Sequence, residues 1–432
     1  MDIKKNLNDI VIQVILCGKC IGRMKWDTEK NLAVFQFTSE YLQSKINISP
    51  LAHNKVAAAF YGNKNDKYQG LPEFIADSLP DEWGNTLFNQ WLNDNGISLL
   101  YSNPLLKLVF IGRRGIGALE YMPEINPIHD ANTAIDIEEL QAMANDIYNK
   151  KIDASVTMNQ KKTLASLIEL GTSVGGKHQK GIVARNRITG EFRSGQVELP
   201  PEYEYFIIKF QENPMIPTSE IEMVYHEMAL NAGIVMMPCE LVEINGSRHF
   251  MTKRFDRVKG EKLLSQTMAA LAPNGNDYMH LFFLCETLKV PYKDKERLFR
   301  QIVFNHMAGV TDDHNKNFSF IMNKKGVWSL APAYDVMFTA NIWENPSAAV
   351  HCLGLAGKHS HVTVNDLKEF GKDFGIKKCD EIISQVATAI GGFKGLCEKY
   401  NVHVDWVNKI SESLNMIFPQ EHGQNLTNKF KI

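Results

Sequence analysis

Short apolar runs separated by turn residues open the chain and define its first predicted elements. Residues 10–37 alternate in this way, which predicts a small antiparallel sheet. Helices and loops are predicted from 39 to about 102. Two further apolar runs, 108–112 and 117–121, are expected to pair as a hairpin. The stretch 123–135 is rich in Pro, Asn and Asp and is the best linker candidate.

Between residues 165 and 257 the predicted elements follow a specific order. They are a glycine-bearing loop, two strands, a helix and a two-stranded hairpin, at residues 171–176, 181–185, 205–209, 219–232 and 240–252. The helix has one apolar face and is followed by Gly233, a typical stop. The dipeptide Asn245-Gly246 is a strong hairpin-turn signal.

Beyond Leu264 the pattern becomes largely helical. A helix is predicted over residues 293–308, and a loop follows it from Gly309. The apolar residues on the inner face of this helix are Leu298, Ile302, Val303 and Met307. A hairpin predicted over 318–330 then returns the chain, so that Asp335 is expected to lie beside the loop.

This order of glycine loop, strand, lysine-ended strand, helix and hairpin is that of a protein-kinase small lobe. The sequence therefore predicts an α+β, protein-kinase-like, two-lobed fold. Its N-terminal lobe is mixed α/β with an added N-terminal subdomain, and its C-terminal lobe is mostly helical. The predicted boundaries are 1–125 for the subdomain, 126–257 for the small lobe with phosphate loop and hinge, and 258–432 for the large lobe with the catalytic loop.

Composition narrows the functional classes. The 432 residues carry 47 basic and 49 acidic side chains, a formal charge of −2, so no global basic field predicts direct nucleic-acid binding. No apolar run approaches the 18 residues of a membrane span, so no membrane partner is expected. The seven cysteines are scattered and odd in number, which favours reduced thiols and a cytoplasmic location.

Polar residues with the spacing of a phosphoryl-transfer site follow the predicted helix at 293–308. Asp312 stands five residues before Asn317, and Asp335 stands 23 residues after Asp312. The predicted roles are general base for Asp312 and Mg²⁺ ligands for Asn317 and Asp335. Asp313 is the alternative base, but only Asp312 has the five-residue spacing. His314 is a catalytic candidate expected to order the loop. Taken alone this segment also fits a polar turn, and the upstream element order decides for the site.

Other residues are predicted to bind ATP. Lys209 would pair with the α- and β-phosphates, although strand lysines are also common on exposed edges. The predicted phosphate loop would cover the phosphates with its backbone N–H groups. Its candidate residues are Ser173, Val174, Gly175, Gly176 and Lys180. Lys253 and Phe255 lie where an adenine-contacting hinge belongs, and Phe255 equally fits core packing. Glu222 either pairs with Lys209 or forms a helix capping box with Ser219.

Histidine and cysteine clusters predict no metal site. His351, His359 and His361 have no obvious fourth ligand and are expected to be solvated surface residues. Cys17 and Cys20 have metal-ligand spacing, but no second pair accompanies them, and they are expected in a strand hairpin.

Several of these segments resemble the HipA family of bacterial toxin kinases, the effectors of type II toxin–antitoxin pairs. The catalytic loop Thr311-Asp-Asp-His-Asn-Lys-Asn-Phe-Ser319 is the most specific match. The other similar segments are Leu330–Asp335, Thr172–Lys180, Lys253–Arg257, Asp77–Gly84 and Ile111–Leu119. The resemblance covers almost the whole chain.

The resemblance implies a Ser/Thr kinase that uses ATP and Mg²⁺ and acts on the translation machinery, with aminoacyl-tRNA synthetases as the substrate class. It implies a small helix-turn-helix antitoxin of the HipB type, through which the chain would reach operator DNA. It also implies autophosphorylation at Ser173. Two departures stand out. Lys253 replaces an acidic residue at the hinge start, and residues 263–267 lack the acidic pair that usually follows.

Two other functions remain open from the sequence. Inositide and lipid kinases share the Asp-x-His-x-x-Asn pattern, but usually continue with Asp-Phe-Gly where this chain has Tyr334-Asp335-Val336. A catalytically weak kinase fold could also serve only as a corepressor with a DNA-binding partner. The complete set Lys209, Asp312, Asn317 and Asp335 argues against that second function.

Overall fold

The computed structural model describes residues 10–98, 102–125, 134–148, 158–171, 178–213, 215–244, 246–340 and 349–417. It divides into two compact units. The first unit comprises Met1–Glu212, Val242–Gln266 and Ile321–Val327. The second comprises Asn213–Leu241, Thr267–Phe320 and Trp328–Ile432. The domain boundaries at 125 and 257 stay predictions, and most of the predicted linker falls outside the described residues.

Strands are concentrated before residue 270. They are β1 (Ile12–Leu16), β2 (Lys19–Asp27), β3 (Leu32–Phe37), β4 (Phe60–Tyr61), β5 (Leu119–Met122), β6 (Lys180–Asn186), β7 (Phe192–Ser194), β8 (Tyr203–Lys209), β9 (Cys239–Ile244), β10 (Ser247–Lys253), β11 (Arg257–Val258), β12 (Glu261–Lys262), β13 (Leu264–Thr267), β14 (Ser319–Met322) and β15 (Trp328–Leu330).

Helices occur in both units. They are α1 (Ser39–Gln43), α2 (Glu73–Ala76), α3 (Glu82–Asp94), α4 (Pro104–Ile111), α5 (Ile137–Tyr148), α6 (Met158–Gly171), α7 (Thr218–Asn231), α8 (Met268–Leu271), α9 (Met279–Thr287), α10 (Tyr292–Met307), α11 (Val364–Asp373), α12 (Cys379–Gly391), α13 (Phe393–Lys399) and α14 (Val404–Ile417). Among the described residues, none of the helices has the length and apolar character needed to span a bilayer.

The first sheet has the strand order β4-β3-β2-β1-β5 and confirms the antiparallel sheet predicted for residues 10–37. Its buried face follows the alternation of the sequence, with Ile12 and Val14 fully buried in β1. A side chain could not replace Gly22 in β2, because its Cβ would lie 2.1 Å from the ring of Phe35. Cys17 and Gly18 form the turn between β1 and β2 with positive φ, as the predicted hairpin requires.

The strand predicted at residues 108–112 is wrong. These residues end α4, and only the second half of the predicted hairpin forms a strand, β5, which pairs with β1. The side chain of Asn103 caps the helix by accepting from the N–H groups of Leu105 and Leu106, and Pro104 occupies its first turn. Because Pro fits the first helical turn and Asn is a preferred cap, this start signal was present in the sequence.

The second sheet has the order β7-β6-β8-β10-β9, which places β8 at its centre. Lys209, the last residue of β8, is therefore flanked by strands on both sides and is not an edge residue. It pairs in register with Lys180 on β6 and with Phe250 on β10. The strands predicted at 181–185, 205–209, 240–244 and 248–252 are all confirmed.

The predicted helices of the second unit are confirmed. The inward face of α10 is fully buried, and α7 ends just before Gly233, whose φ is +79°. The capping box proposed for Ser219 and Glu222 is not formed. Pro217 stands at the start of α7 and the cap carries no side-chain hydrogen bond. Glu222 lies inside the helix and is 6% exposed.

Candidate active site

The loop that follows α10 turns sharply at Gly309. Its φ of +67° lies in the left-handed region, and a Cβ there would lie 2.9 Å from the ring of Phe338. Glycine avoids both the backbone strain and this clash. The chain can therefore leave the helix at this point, and Thr311 and Asp312 lie beside Thr339.

The hydroxyl of Thr339 holds the backbone of this loop. Its Oγ1 accepts hydrogen bonds from the N–H of Thr311 at 2.8 Å and of Asp312 at 2.9 Å. In return, the N–H groups of Thr339 and Ala340 donate to the carbonyl of Gly309 at 3.1 Å. The sequence analysis missed Thr339, because no local pattern links it to a loop 27 residues earlier.

The two neighbouring aspartates differ sharply in environment. Asp312 is exposed, whereas Asp313 is 1% exposed. The buried Asp313 carboxylate accepts hydrogen bonds from the Tyr278 hydroxyl, from His351 Nδ1 at 2.6 Å and from the Cys352 N–H at 2.8 Å. Asp313 is therefore committed to internal hydrogen bonds, and Asp312 is the carboxylate that solvent and substrates can reach.

Further buried groups lie behind Asp313. Asn305 Nδ2 donates to the Tyr278 hydroxyl at 3.2 Å, and the rings of His306 and His351 are 3.9 Å apart. Burial lowers the pKa of His306 well below its usual value, and the neighbouring His351 lowers it further. Burial also raises the pKa of Tyr278, as does the charge of Asp313. Near neutral pH, His306 is thus uncharged and Tyr278 keeps its proton.

The expectation that His351 is a surface residue is wrong, since its side chain is 3% exposed and bonded to Asp313. Partners distant in sequence bury it, and one sequence does not reveal them. His359 and His361 are exposed, as predicted. Within the described ranges, no group of three or more His, Cys, Asp or Glu residues is arranged to hold a metal.

Asn317 is oriented by the same loop. Its Nδ2 donates to the carbonyl of Asp312 at 2.8 Å, and its own N–H donates to the carbonyl of His314 at 2.9 Å. Fixing the amide nitrogen in this way leaves Oδ1 as the oxygen available to a cation. His314 Nδ1 accepts from the N–H of Lys316 at 3.3 Å, and the role of His314 stays a prediction.

Tyr334 ties the segment before Asp335 to the loop. Its hydroxyl donates to the carbonyl of Lys316 at 2.7 Å and lies 2.6 Å from Ser319 Oγ. Asp335 itself has a φ of +55°, a conformation uncommon outside glycine. Asp335 thus follows a residue hydrogen-bonded to the catalytic loop, in the part of the second unit that also holds Asp312 and Asn317.

The predicted nucleotide residues lie in the first unit. Lys180 is 4% exposed and is the direct cross-strand partner of Lys209. Lys253 Nζ pairs with Glu204 at 2.7 Å, so its side chain is engaged with the protein. Phe255 is half-buried between the fully buried Arg254 and Asp256. Ser173, Val174, Gly175 and Gly176 lie outside the described residues.

Glu212 was missed by the sequence analysis. Its carboxylate accepts from the N–H of Gln179 at 2.7 Å and lies 3.4 Å from His178. Burial opposes ionisation of Glu212, but these two partners and the charge of Lys180 lower its pKa below the usual value. The ionised carboxylate therefore holds the backbone just before β6.

Comparison with known proteins identifies two matching families and one similar fold. The HipA N-terminal domain matches residues 12–122 and the HipA-like C-terminal domain matches residues 172–392. No curated protein sequence matches the chain. HipA of Shewanella oneidensis MR-1, solved with HipB and operator DNA, is 16% identical with a TM-score of 0.66, covering 94% of this chain and 95% of that one.

A second solved structure has a lower similarity. The proinflammatory kinase CtkA of Helicobacter pylori is 11% identical with a TM-score of 0.39, covering 60% of this chain and 94% of that one. The likeness to the Shewanella protein is the one that shows the fold, and the α+β fold prediction is confirmed by it.

Proposed function

This chain belongs to the HipA family, and from that premise we propose that it is the kinase of a toxin–antitoxin pair. It transfers the γ-phosphate of ATP to a serine or threonine hydroxyl of a protein in a Mg²⁺-dependent reaction. The observation that carries the proposal is the difference in environment between the carboxylates of Asp312 and Asp313. One carboxylate is exposed on a loop whose backbone is fixed, and its neighbour is buried and holds that loop in place.

Asp312 would act on the attacking hydroxyl. Its carboxylate accepts a hydrogen bond from the hydroxyl and takes its proton as the oxygen bonds to phosphorus. The bond between the γ-phosphorus and the bridging oxygen breaks, and ADP leaves. Because Thr339 Oγ1 accepts hydrogen bonds from the consecutive N–H groups of Thr311 and Asp312, the carboxylate is positioned before the substrate arrives.

Asn317 Oδ1 and the Asp335 carboxylate would hold Mg²⁺. Both are oxygen donors, which Mg²⁺ prefers, and protein sites commonly supply one or two such side chains beside substrate phosphates. A bound Mg²⁺ neutralises charge on the phosphate oxygens. The hydrogen bond from Asn317 Nδ2 to the Asp312 carbonyl presents Oδ1 for this task.

Lys180 and Lys209 would bind the anionic phosphates. They are direct cross-strand partners, so their side chains leave the same face of the second sheet beside each other. Two neighbouring ammonium groups on one face are suited to an anionic triphosphate, which supports the predicted role of both lysines.

Removing the carboxylate of Asp335 tests the metal proposal. In Asp335→Ala, the affinity for an ATP analogue in Mg²⁺ is expected to fall at least about tenfold, because a direct cation ligand is lost. Titration calorimetry with Mg²⁺ and with EDTA measures this. Asp373→Ala removes an exposed carboxylate of the second unit and should leave the affinity unchanged. An Asp335→Ala affinity equal to wild type in Mg²⁺ would contradict the assignment.

The partner proposed for this chain is a helix-turn-helix antitoxin of the HipB type. With a formal charge of −2, the isolated chain should bind duplex DNA no more tightly than about 1 μM and without sequence preference. Operator-specific binding should appear only when a helix-turn-helix antitoxin of the HipB type is added. Fluorescence anisotropy at two salt concentrations measures both. Tight, specific binding by the chain alone would show that it reads DNA itself.

Autophosphorylation is proposed at Ser173. A phosphate there adds about −1.5 to −2 charges, which would repel the ATP phosphates and lower nucleotide affinity. After incubation with Mg²⁺-ATP, peptide mapping should find one phosphate on Ser173 in wild type and in Thr172→Ala, and none in Ser173→Ala. A phosphate that persists at residue 172 in Ser173→Ala would assign the modification to the threonine.

The proposed substrate is a component of the translation machinery, with aminoacyl-tRNA synthetases as the class expected from the family. Cells producing the wild-type chain are compared by phosphoproteomics with cells producing Asp312→Asn. Phosphosites present only with the wild type identify the substrate. Transfer of labelled phosphate from ATP to lipid rather than protein would instead establish a lipid kinase, and no transfer at all would contradict the kinase proposal.

A further inference from the structure

Trp83 of α3 lies between the two ends of the predicted phosphate loop. It is 2% exposed, and its indole Nε1 donates to the carbonyl of Lys180, the first residue of β6, at 2.9 Å. Gly171, the last residue of α6, is packed against the same side chain. A Cβ built on Gly171 would lie 3.0 Å from Trp83 Nε1 and 3.1 Å from the Lys180 carbonyl. One residue of the N-terminal region, defined here as residues 12–122, therefore contacts both flanks of this loop.

A second contact joins the N-terminal region to the predicted hinge. The Asp256 carboxylate, which follows Phe255, accepts from the N–H of Gly117 at 2.7 Å. Arg254 donates to the same carboxylate through Nε at 2.9 Å and Nη2 at 2.7 Å, and Arg257 Nη1 donates at 2.6 Å. The Asp256 carboxylate thus holds Arg254 and Arg257, which lie on either side of Phe255, and it also binds the N-terminal region through Gly117.

Arg257 extends this contact to the backbone of residues 113–120. Its guanidinium donates to the carbonyls of Gly117 and Gly115, each at 3.2 Å. Lys262 Nζ adds bonds to the Arg113 carbonyl at 2.6 Å and to Glu120 at 2.7 Å. Because the guanidinium is planar and donates to a carboxylate and two carbonyls at once, none of these three acceptors can shift far without losing a hydrogen bond.

The charges in this cluster are maintained at neutral pH. Burial alone would raise the pKa of Asp256, but Arg254 and Arg257, together with the Gly117 hydrogen bond, hold it below its usual value. Burial lowers the pKa of Arg257 to about 10, which still leaves it protonated. A buried network of this kind is rigid only while every member is paired, so its geometry is strict.

We propose that the N-terminal region is a working part of the nucleotide site, with Trp83 and the Asp256–Arg257 pair as positioning residues. Trp83 fixes the start of β6, which carries Lys180, and the pair fixes the hinge residue Phe255. The inference rests on the proposed kinase function. Because a site already held in its binding geometry loses less entropy on binding, loosening either contact weakens nucleotide affinity more than it slows transfer.

Two conservative substitutions test this in the full-length chain. Trp83→Phe keeps an aromatic ring and removes the indole N–H, and Arg257→Lys keeps the charge and removes the planar fork. Trp91→Phe makes the first change at another buried position of α3, and Arg193→Lys makes the second at a residue that pairs with Glu191. Folding of each variant is verified by its thermal transition.

Each test variant is expected to raise KM for ATP, and the Kd of a non-hydrolysable ATP analogue, about tenfold. Turnover at saturating ATP should change less than about threefold, and both controls should match wild type. Without nucleotide, amide hydrogen exchange should quicken at residues 180–185 in Trp83→Phe and at 253–257 in Arg257→Lys. Substituting a residue that contributes only to overall stability would not speed exchange at these residues alone. It would also not raise KM while leaving turnover nearly unchanged.

The outcomes separate this inference from the function on which it rests. A wild-type chain that binds no nucleotide overturns the proposed function and this inference with it. Wild-type binding combined with unchanged affinity in both folded test variants overturns this inference alone. Equal losses in the test variants and their controls would also overturn it, because the effect would then not depend on the named contacts.

Discussion

Replacing Asp312 by asparagine is expected to lower phosphate transfer by about 100- to 10,000-fold, the usual contribution of a positioned general base. The amide has nearly the same shape but cannot take the hydroxyl proton. The Thr339 hydrogen bonds involve the backbone of the loop, so the substitution leaves them intact. Single-turnover transfer from labelled ATP to a protein acceptor measures the effect.

Two companion measurements interpret that loss. The affinity of Asp312→Asn for a nucleotide analogue should stay within about twofold of wild type, because removing a group that acts in the transition state alters turnover rather than binding. Its thermal stability should also be unchanged, since Asp312 is exposed. Turnover near wild type would show that Asp312 is not the base.

Replacing the neighbouring Asp313 by alanine is expected to act mainly on stability, lowering the free energy of unfolding by about 3 kcal/mol. The substitution leaves the Tyr278 hydroxyl, His351 Nδ1 and the Cys352 N–H without their common acceptor inside the protein. Urea denaturation measures the loss. Turnover should fall as well, because the catalytic loop loses its attachment to residues 351–353.

The exposed Asp373 supplies the control for charge, and Asp373→Ala should leave both stability and turnover unchanged. The pair of aspartates can then be compared directly. If Asp313→Asn removes activity in a protein of wild-type stability while Asp312→Asn stays active, the roles assigned to the two residues are reversed.

Much of the fold could be predicted because the relevant signals are local. Short apolar runs identified most strands of the first and second sheets, although not β4 and β7, and the apolar face of residues 293–308 identified α10. That Asp312 rather than Asp313 is the general base remains a prediction, because it concerns function. The structure gives a physical reason for it, since Asn317 Nδ2 donates to the Asp312 carbonyl while Asp313 is buried.

The errors arose where local signals were ambiguous or partners were distant. An apolar run such as 108–112 fits a buried strand as well as a buried helix. The signal that distinguishes them, the helix start at Asn103 and Pro104, lies several residues before the run. The burial of His351 depends on Asp313, 38 residues earlier. Likewise, Thr339 acts through a hydroxyl that no motif marks, and Trp83 acts on Lys180 97 residues later.

The Asp313 carboxylate also affects when this loop can complete its folding during synthesis of the chain. Its last hydrogen-bond partner, the N–H of Leu353, is encoded 40 residues after it. At ~5–20 residues per second the ribosome needs about 2–8 s to add them. Asn317 and Asp335 are added during that interval, but the buried network behind them cannot yet close. The loop that carries Asp312 and Asn317 can therefore acquire its complete set of buried hydrogen bonds only after residue 353 has been synthesised.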